Sequence, residues 1–220
     1  MDSGGDLPER IAIFPLSGAL LLPGGKLPLN IFEPRYLEMV RDAMSAHRII
    51  GMIQPVEHES RKWKPNVYDV GCAGRISSFS ETDDGRFLVV LTGLSRFRVA
   101  KELDATTLYR QAQVDWSPFA VDRHKGLASA PYDRPRLLHA LKQYLETHGI
   151  PAEWSQIERA PDEALINSLA MVCPFAPAEK QALLEAPTLL DRAEVIIALI
   201  EMALLQQGGP DTPPGGQRLN

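Results

Sequence analysis

Cysteine is nearly absent from this chain. Its 220 residues hold two, Cys72 and Cys173, far apart and outside any C-x-x-C spacing. They suit two unrelated buried thiols in a reducing cytosol better than a disulfide framework. Long apolar runs are also missing. None approaches the roughly 20 residues that a membrane-spanning helix needs. The opening stretch, Met1 to Asp6, lacks the positive charge and apolar segment of a secretion signal. A cytoplasmic protein is expected. Positive charge is not in excess either: the formal net charge is -5. That argues against a general electrostatic grip on nucleic acid, which needs clustered Lys and Arg. The short basic run of Arg61, Lys62 and Lys64 around Trp63 is read as a solvated loop.

Motifs for chemistry are missing as well. There is no G-x-x-x-x-G-K-[ST], so no phosphate-cradling loop; Gly24-Gly25-Lys26 lacks the spacing and the following hydroxyl. Gly93-Leu94-Ser95-Arg96-Phe97 begins like a nucleophile elbow, but Phe97 stands where a second glycine must relieve crowding. No S-x-x-K occurs, and no histidine pair has the short spacing of a helix-borne zinc site. His47, His58, His124, His139 and His148 are read as single surface residues. Asp83-Asp84-Gly85 lacks the rest of a calcium loop and is read as a hairpin turn. No catalytic residue, metal site or cofactor is expected.

What the chain has is a change of periodicity halfway along. Ile11–Phe14, Leu29–Phe32 and Ile49–Ile53 are short apolar runs bounded by Pro, Gly or polar residues, the pattern of strands. Val70–Phe79 carries Gly71 and Gly74, which suggest bulges or close backbone approach. A turn at Asp84-Gly85 is followed by what reads as two strands through Val99. There Phe97 and Val99 share one face and Arg96 and Arg98 the other. Ala112, Val114 and Trp116 continue the alternation. One helix interrupts: Tyr36, Met39, Val40, Ala43 and Met44 recur at helical spacing from Pro34, which fits a first helical turn. Strands so spaced predict a small, strongly bent sheet or barrel.

From Val121 to Tyr132 the chain is charged and irregular. Beyond it the pattern is helical. Leu137 to Leu145 mark one helix, Leu165 to Val172 a second, Glu179 to Leu184 a short third. The last starts at Thr188, a plausible N-cap, and carries Ala193, Ile196, Ile197, Ile200 and Leu204. Four short-linked amphipathic helices predict a bundle. The expected organisation is a β domain over 10–118, a linker over 119–133, a helical bundle over 134–207 and a disordered tail over 208–220, an α+β protein.

Two places carry candidate functional residues. At the strand-to-helix corner, Glu33 and Arg35 are read as a structural ion pair, with the carboxylate placed to satisfy orphan helix N–H groups. Arg96 is a candidate to brace Glu33 or a neighbouring loop carbonyl. The second place is Leu20-Leu21-Leu22-Pro23. These leucines are either strand core or, if exposed beside the Gly24-Gly25 turn, an apolar interaction patch.

Several blocks in order carry a family resemblance. They are Ile13-Phe14-Pro15-Leu16, the Leu22-Pro23-Gly24 turn, Pro28 through Tyr36, Gly71 through Ile76, and Asp84 through Val99. Together they resemble the N-terminal domain of the Lon ATP-dependent protease, over about residues 10–116. Leu183-Leu184-Glu185 and Asp191-Arg192-Ala193-Glu194 resemble that family's helical extension. The resemblance implies a PUA-like β pseudo-barrel followed by a helical bundle, and a role in binding unfolded or degron-bearing polypeptides or a protease or chaperone partner. It looks like a stand-alone substrate-binding domain without the family's ATPase and Ser–Lys protease modules. Substrate contact is then expected at Leu20, Leu21, Leu22 and Pro23, with at least one leucine substantially exposed. Because PUA-like barrels elsewhere bind RNA, RNA binding is the alternative.

Overall fold

The computed structural model describes residues 7–56, 64–123 and 132–207. The basic run at Arg61–Trp63, His58, His124, most of the expected linker and the tail from 208 lie outside the described residues. Six strands form one sheet: β1 (Arg10–Pro15), β2 (Lys26–Ile31), β3 (Ile49–Ile53), β4 (Val70–Glu81), β5 (Phe87–Leu103) and β6 (Arg110–Asp115). A helix, α1 (Pro34–Ser45), intervenes between β2 and β3. The strand order is β2-β5-β4-β3-β1-β6, and β5 pairs with β6 as well. That last pairing closes β5, β4, β3, β1 and β6 into a ring, with β2 attached to the outer half of β5. Only β1 and β3 run parallel.

The stretch expected as two strands is one strand of 17 residues. Its first half pairs with β2 and its second with β6, while β4 follows both. A continuous strand can serve both partners because register shifts that leave Leu94 and Ala100 of β5 unpaired bend it, as bulges do, while a third leaves Ser77 of β4 unpaired. The barrel interior is filled by Ile11, Ile13, Ile49, Ile53, Ala73, Phe97, Ala112 and Val114. Phe97 occupies the middle. A Cβ on Gly71 would come within 2.5 Å of its ring, and one on Gly51 within 2.9 Å. Those two glycines leave the room that the phenyl group takes.

The opposite face of the sheet is buried too. Ile50, Met52, Val70 and Cys72 belong to a larger core with α1 and the C-terminal helices. These are α2 (Arg134–Thr147), α3 (Trp154–Arg159), α4 (Asp162–Val172), α5 (Pro177–Glu185) and α6 (Leu189–Gln207). α3 has no counterpart in the sequence reading; it is a single short turn that buries no residue. The Thr188 cap is as expected: its hydroxyl accepts from Asp191 N–H, and the Asp191 carboxylate accepts from Thr188 N–H.

The expected exposure at the Leu20–Leu22 loop is not found. Leu20, Leu21 and Leu22 are 2%, 1% and 0% exposed and belong to the larger core. The chain can dive there because Gly93 has no side chain: a Cβ on it would lie 2.0 Å from the Leu22 carbonyl oxygen. Asn167 donates to the Pro23 carbonyl and pins the end of the loop to α4. Burying three leucines stabilises the fold by about 1.5–3 kcal/mol each, which outweighs presenting them to a ligand.

Arg96 is the second correction. It does not reach Glu33. It is 3% exposed, and its guanidinium forks onto Asp122, with Nε and Nη2 donating at 2.9 and 2.8 Å. Nη1 donates to the carbonyls of Leu184 and Ala186 at the end of α5, which meets the loop-carbonyl part of the expectation. Asp122 lies in a 3-10 segment, Ser117–Arg123, whose Phe119 is buried under the Arg96 guanidinium. Residues 119–123 of the expected linker are thus packed against the sheet. Replacing Arg96 by Ala leaves Asp122 buried and unpaired. We expect a loss of about 3–5 kcal/mol, read as a fall in the urea midpoint; a loss below about 1 kcal/mol would show that the fork is dispensable.

Candidate functional site

A cleft of about 660 Å³ lies on the side of the sheet where α1 begins. One wall is β2 and the corner after it, Pro28 through Tyr36. The end of β1, with Phe14 to Ser17, lies behind. The end of β5 and the connection into β6, Glu102 to Arg110, form the other wall, and Pro55, Lys64 and Pro65 close the end. Its volume is in the range of pockets that hold a ligand rather than a water molecule.

Each wall is held by a specific contact. Tyr36 stacks on Phe14 with ring centroids 4.2 Å apart, and the Arg35 guanidinium lies 4.4 Å above Tyr36. Glu33 and Arg35 pair at 2.8 Å, as expected from the corner. The capping role expected of the Glu33 carboxylate is absent: it bonds no helix N–H and is 44% exposed. Pro34 at the first helical position needs no such partner. On the other wall, Arg110 forks onto Glu102 at 3.0 and 2.7 Å and donates to the Pro65 carbonyl at 2.7 Å. Lys64 pairs with Glu102 as well. Burial alone would raise the Glu102 carboxyl; the bonds from Arg110 and Lys64 outweigh it and hold it below the usual carboxylate range. The β5–β6 connection is tied to α1: Leu108 N–H donates to Glu38 and the Tyr109 hydroxyl to Asp42. Burial first, and the Asp42 acceptor second, push the Tyr109 phenol well above its ordinary value, so it stays a neutral donor.

Two large apolar side chains stand out of this lining. Phe32 is 63% exposed and Leu108 53%. Neither was singled out by sequence reasoning. Phe32 had a signal: two positions from Asn30 in an extended run, it shares the polar face, whereas Ile31 shares the buried one. Leu108 had none, because its exposure follows from the hydrogen bonds that fix the connection.

Chemically the lining is quiet. Among the described residues it contains no histidine or cysteine. Among the described residues no group of three or more His, Cys, Asp or Glu could hold a metal ion, and no helix is long and apolar enough to cross a membrane. Cys72 is fully buried, and burial pushes its thiol well up.

Comparison with known proteins was made against this geometry. The family model described as the ATP-dependent protease La (LON) substrate-binding domain matches residues 10–202. A Lon protease of Flavobacterium johnsoniae is 25% identical over 191 residues, 86% of this chain and 23% of that protein. Lon protease 2 of Myxococcus xanthus is 31% identical over 111 residues, 50% of this chain and 13% of that protein. The chain thus spans a quarter or less of these two relatives. Among solved structures, a Lon N-terminal domain protein from Xanthomonas campestris aligns with TM-score 0.60 at 23% identity, covering 86% of this chain and 97% of that one. The N-terminal domain of a Mycobacterium avium complex Lon protease aligns with TM-score 0.59 at 14% identity, covering 87% and 98%. Both likenesses concern the fold alone: this chain shares the fold of Lon N-terminal domains, and its sheet with accompanying helices is α+β, as expected.

Two outcomes follow from the site. Glu33→Ala is expected to cost less than about 1 kcal/mol, because the pair is solvent-facing; an unfolding midpoint lowered by more would mean that the corner is structural. Glu102 should link stability to acid. Its folded pKa is depressed, so its contribution is present above the unfolded value of about 4.3 and lost as pH falls through the folded value. In denaturant titrations across that window Glu102→Gln should show a shallower fall than wild type; parallel curves would remove the linkage.

Proposed function

The chain belongs to the LON substrate-binding domain family, and from that premise we propose that it is a non-catalytic module that binds polypeptide through the cleft beside α1. The observation that carries this reading is the pair Phe32 and Leu108, exposed on opposite walls of a rigid cleft without reactive groups. Exposed apolar side chains on a scaffold that cannot collapse around them are what recognition of an unfolded chain requires. The partner is an unfolded or degron-bearing polypeptide, presented to or received from a protease or chaperone. Cys72 and Cys173, both free and buried, fit a reducing cytoplasm. RNA is the weaker reading. The cleft's cations Arg35, Lys64 and Arg110 are engaged with Glu33 or Glu102, so they offer little to a phosphate backbone.

The test is a titration of labelled, permanently unfolded model polypeptide followed by fluorescence anisotropy, with structured RNA as the competing ligand. The double variant Phe32→Ser, Leu108→Ser should weaken polypeptide binding by about tenfold, the loss of one central apolar contact, and leave the melting temperature unchanged. Affinity untouched by the double variant, or tighter binding of RNA, would overturn the reading. Neither ATP turnover nor casein cleavage is expected from the pure chain; ATP-dependent cleavage lost on mutating a residue of this chain would overturn its non-catalytic assignment.

A further inference from the structure

We infer that the cleft takes its polypeptide as an added β-strand on the open edge of β2, and that it selects extended apolar segments flanked by Lys or Arg. This rests on the polypeptide-binding reading above and specifies its mode. β2 is the terminal strand of the sheet order and, among the described residues, pairs only with β5. Its Pro28 to Ile31 stretch lines the cleft. The direction of its backbone groups follows from two bonds. Gly93 N–H donates to Gly25 O, and Thr82 N–H donates to Arg86 O. In an antiparallel ladder the groups alternate. Residues 87, 89, 91 and 93 of the β5 segment therefore face β2, and 86, 88 and 90 face β4. On β2, the backbone groups of Leu27, Leu29 and Ile31 turn to β5, while those of Lys26, Pro28 and Asn30 turn away from it, and of these Pro28 and Asn30 line the cleft.

Pro28 agrees with that register. Without an N–H, it sits where no ladder bond is lost. The free edge then offers the N–H groups of Lys26 and Asn30 and the carbonyls of Lys26, Pro28 and Asn30. Main-chain bonding of this kind gives affinity without regard to sequence, and pockets for alternate side chains add selectivity. Phe32 and Leu108 supply the apolar contacts.

Charge supplies the rest. Within the cleft Glu33 pairs with Arg35, and Glu102 with Lys64 and Arg110. Around the β5–β6 connection the balance is different. Asp104 is exposed on it, and Glu38 and Asp42 hold it through a neutral N–H and a neutral hydroxyl. Three carboxylates around the β5–β6 connection thus have no cationic partner among these contacts: Asp104 lies in the cleft lining, Glu38 bonds Leu108 N–H, and Asp42 sits behind at the Tyr109 hydroxyl. Cationic flanks on the ligand complement them.

The experiment uses two labelled peptides with the same alternating Val, Thr and Phe core, one flanked by lysines and the other by glutamates. The lysine peptide should bind at least about fivefold tighter, and the preference should shrink in high salt. Asp104→Lys should narrow it. Asn30→Pro removes one outward N–H and no bond to β5, and should weaken both peptides. Should that variant fail to fold, amide exchange of wild-type Lys26 and Asn30 gives the same information: both should slow when peptide is bound. Peptides that bind equally, without protecting these amides, would overturn strand addition and leave polypeptide binding standing. No binding by either peptide, with unfolded model polypeptide also inert, would overturn both.

Discussion

The fork of Arg96 onto Asp122 is the contact through which barrel, 3-10 segment and helices hold one another. A lone carboxylate at 7% exposure would be expensive to bury. Arg96 neutralises it with two parallel bonds and a third from its own backbone N–H. The remaining guanidinium nitrogen goes to carbonyls that a helix C-terminus leaves orphaned. Arg192 completes that cap from the α6 side, donating to Leu183 O and to Asn167. Burial, with Arg96 nearby, lowers its pKa to about 10, so it remains charged at neutral pH. Cations at the negative end of a helix dipole are stabilising, and here two converge on α5.

The other end of α5 is held as firmly. Gln54 donates to the Pro177 carbonyl, and Gln181 donates to the Val70 carbonyl of β4. Lys180 reaches back to the Gly18 carbonyl. Gln54 follows β3 directly and precedes Pro55 of the cleft wall. Its Oε1 also accepts from Gly18 N–H, in the loop that leaves the cleft at Ser17. The residues behind the cleft are therefore fixed by the same polar network that seats the helices.

How far the sequence could be read depends on whether local pattern or distant partner decides a residue's place. Period-two runs and helix starts report on their own neighbourhood, so β1, β2, β3, β4, β6, α1, α2, α4, α5 and α6 were legible. Arg96 and Arg98 look alike in alternation, yet Arg98 is exposed and Arg96 is buried. The difference lies in Asp122 and the α5 carbonyls, which are distant in sequence. Leu20–Leu22 failed for a related reason. Three leucines before a Pro-Gly turn look the same whether the chain turns outward or threads beneath Gly93. The site was less legible than the fold: Glu33 and Arg35 were found, but the Glu102–Arg110 wall and both exposed apolar residues were not. Glu102 and Leu108 belong to a long strand read as two and to a connection tied to α1, whereas Phe32 could have been found from the polar face that it shares with Asn30.

The β2 edge shows how one feature can serve both solubility and recognition. An unpaired edge invites any extended chain, and proteins blunt such edges with proline and lysine. β2 carries both on its outward positions, Pro28 and Lys26. Pro28 removes one donor from the edge, so an incoming strand gains fewer bonds there than on an unmodified strand. Self-association through two such edges would place two prolines in one ladder and lose donors from both sides. A flexible peptide can shift register to avoid the gap and still reach Phe32 and Leu108. Under the proposed strand addition, the same edge would favour transient capture of an extended segment over permanent pairing with its own kind.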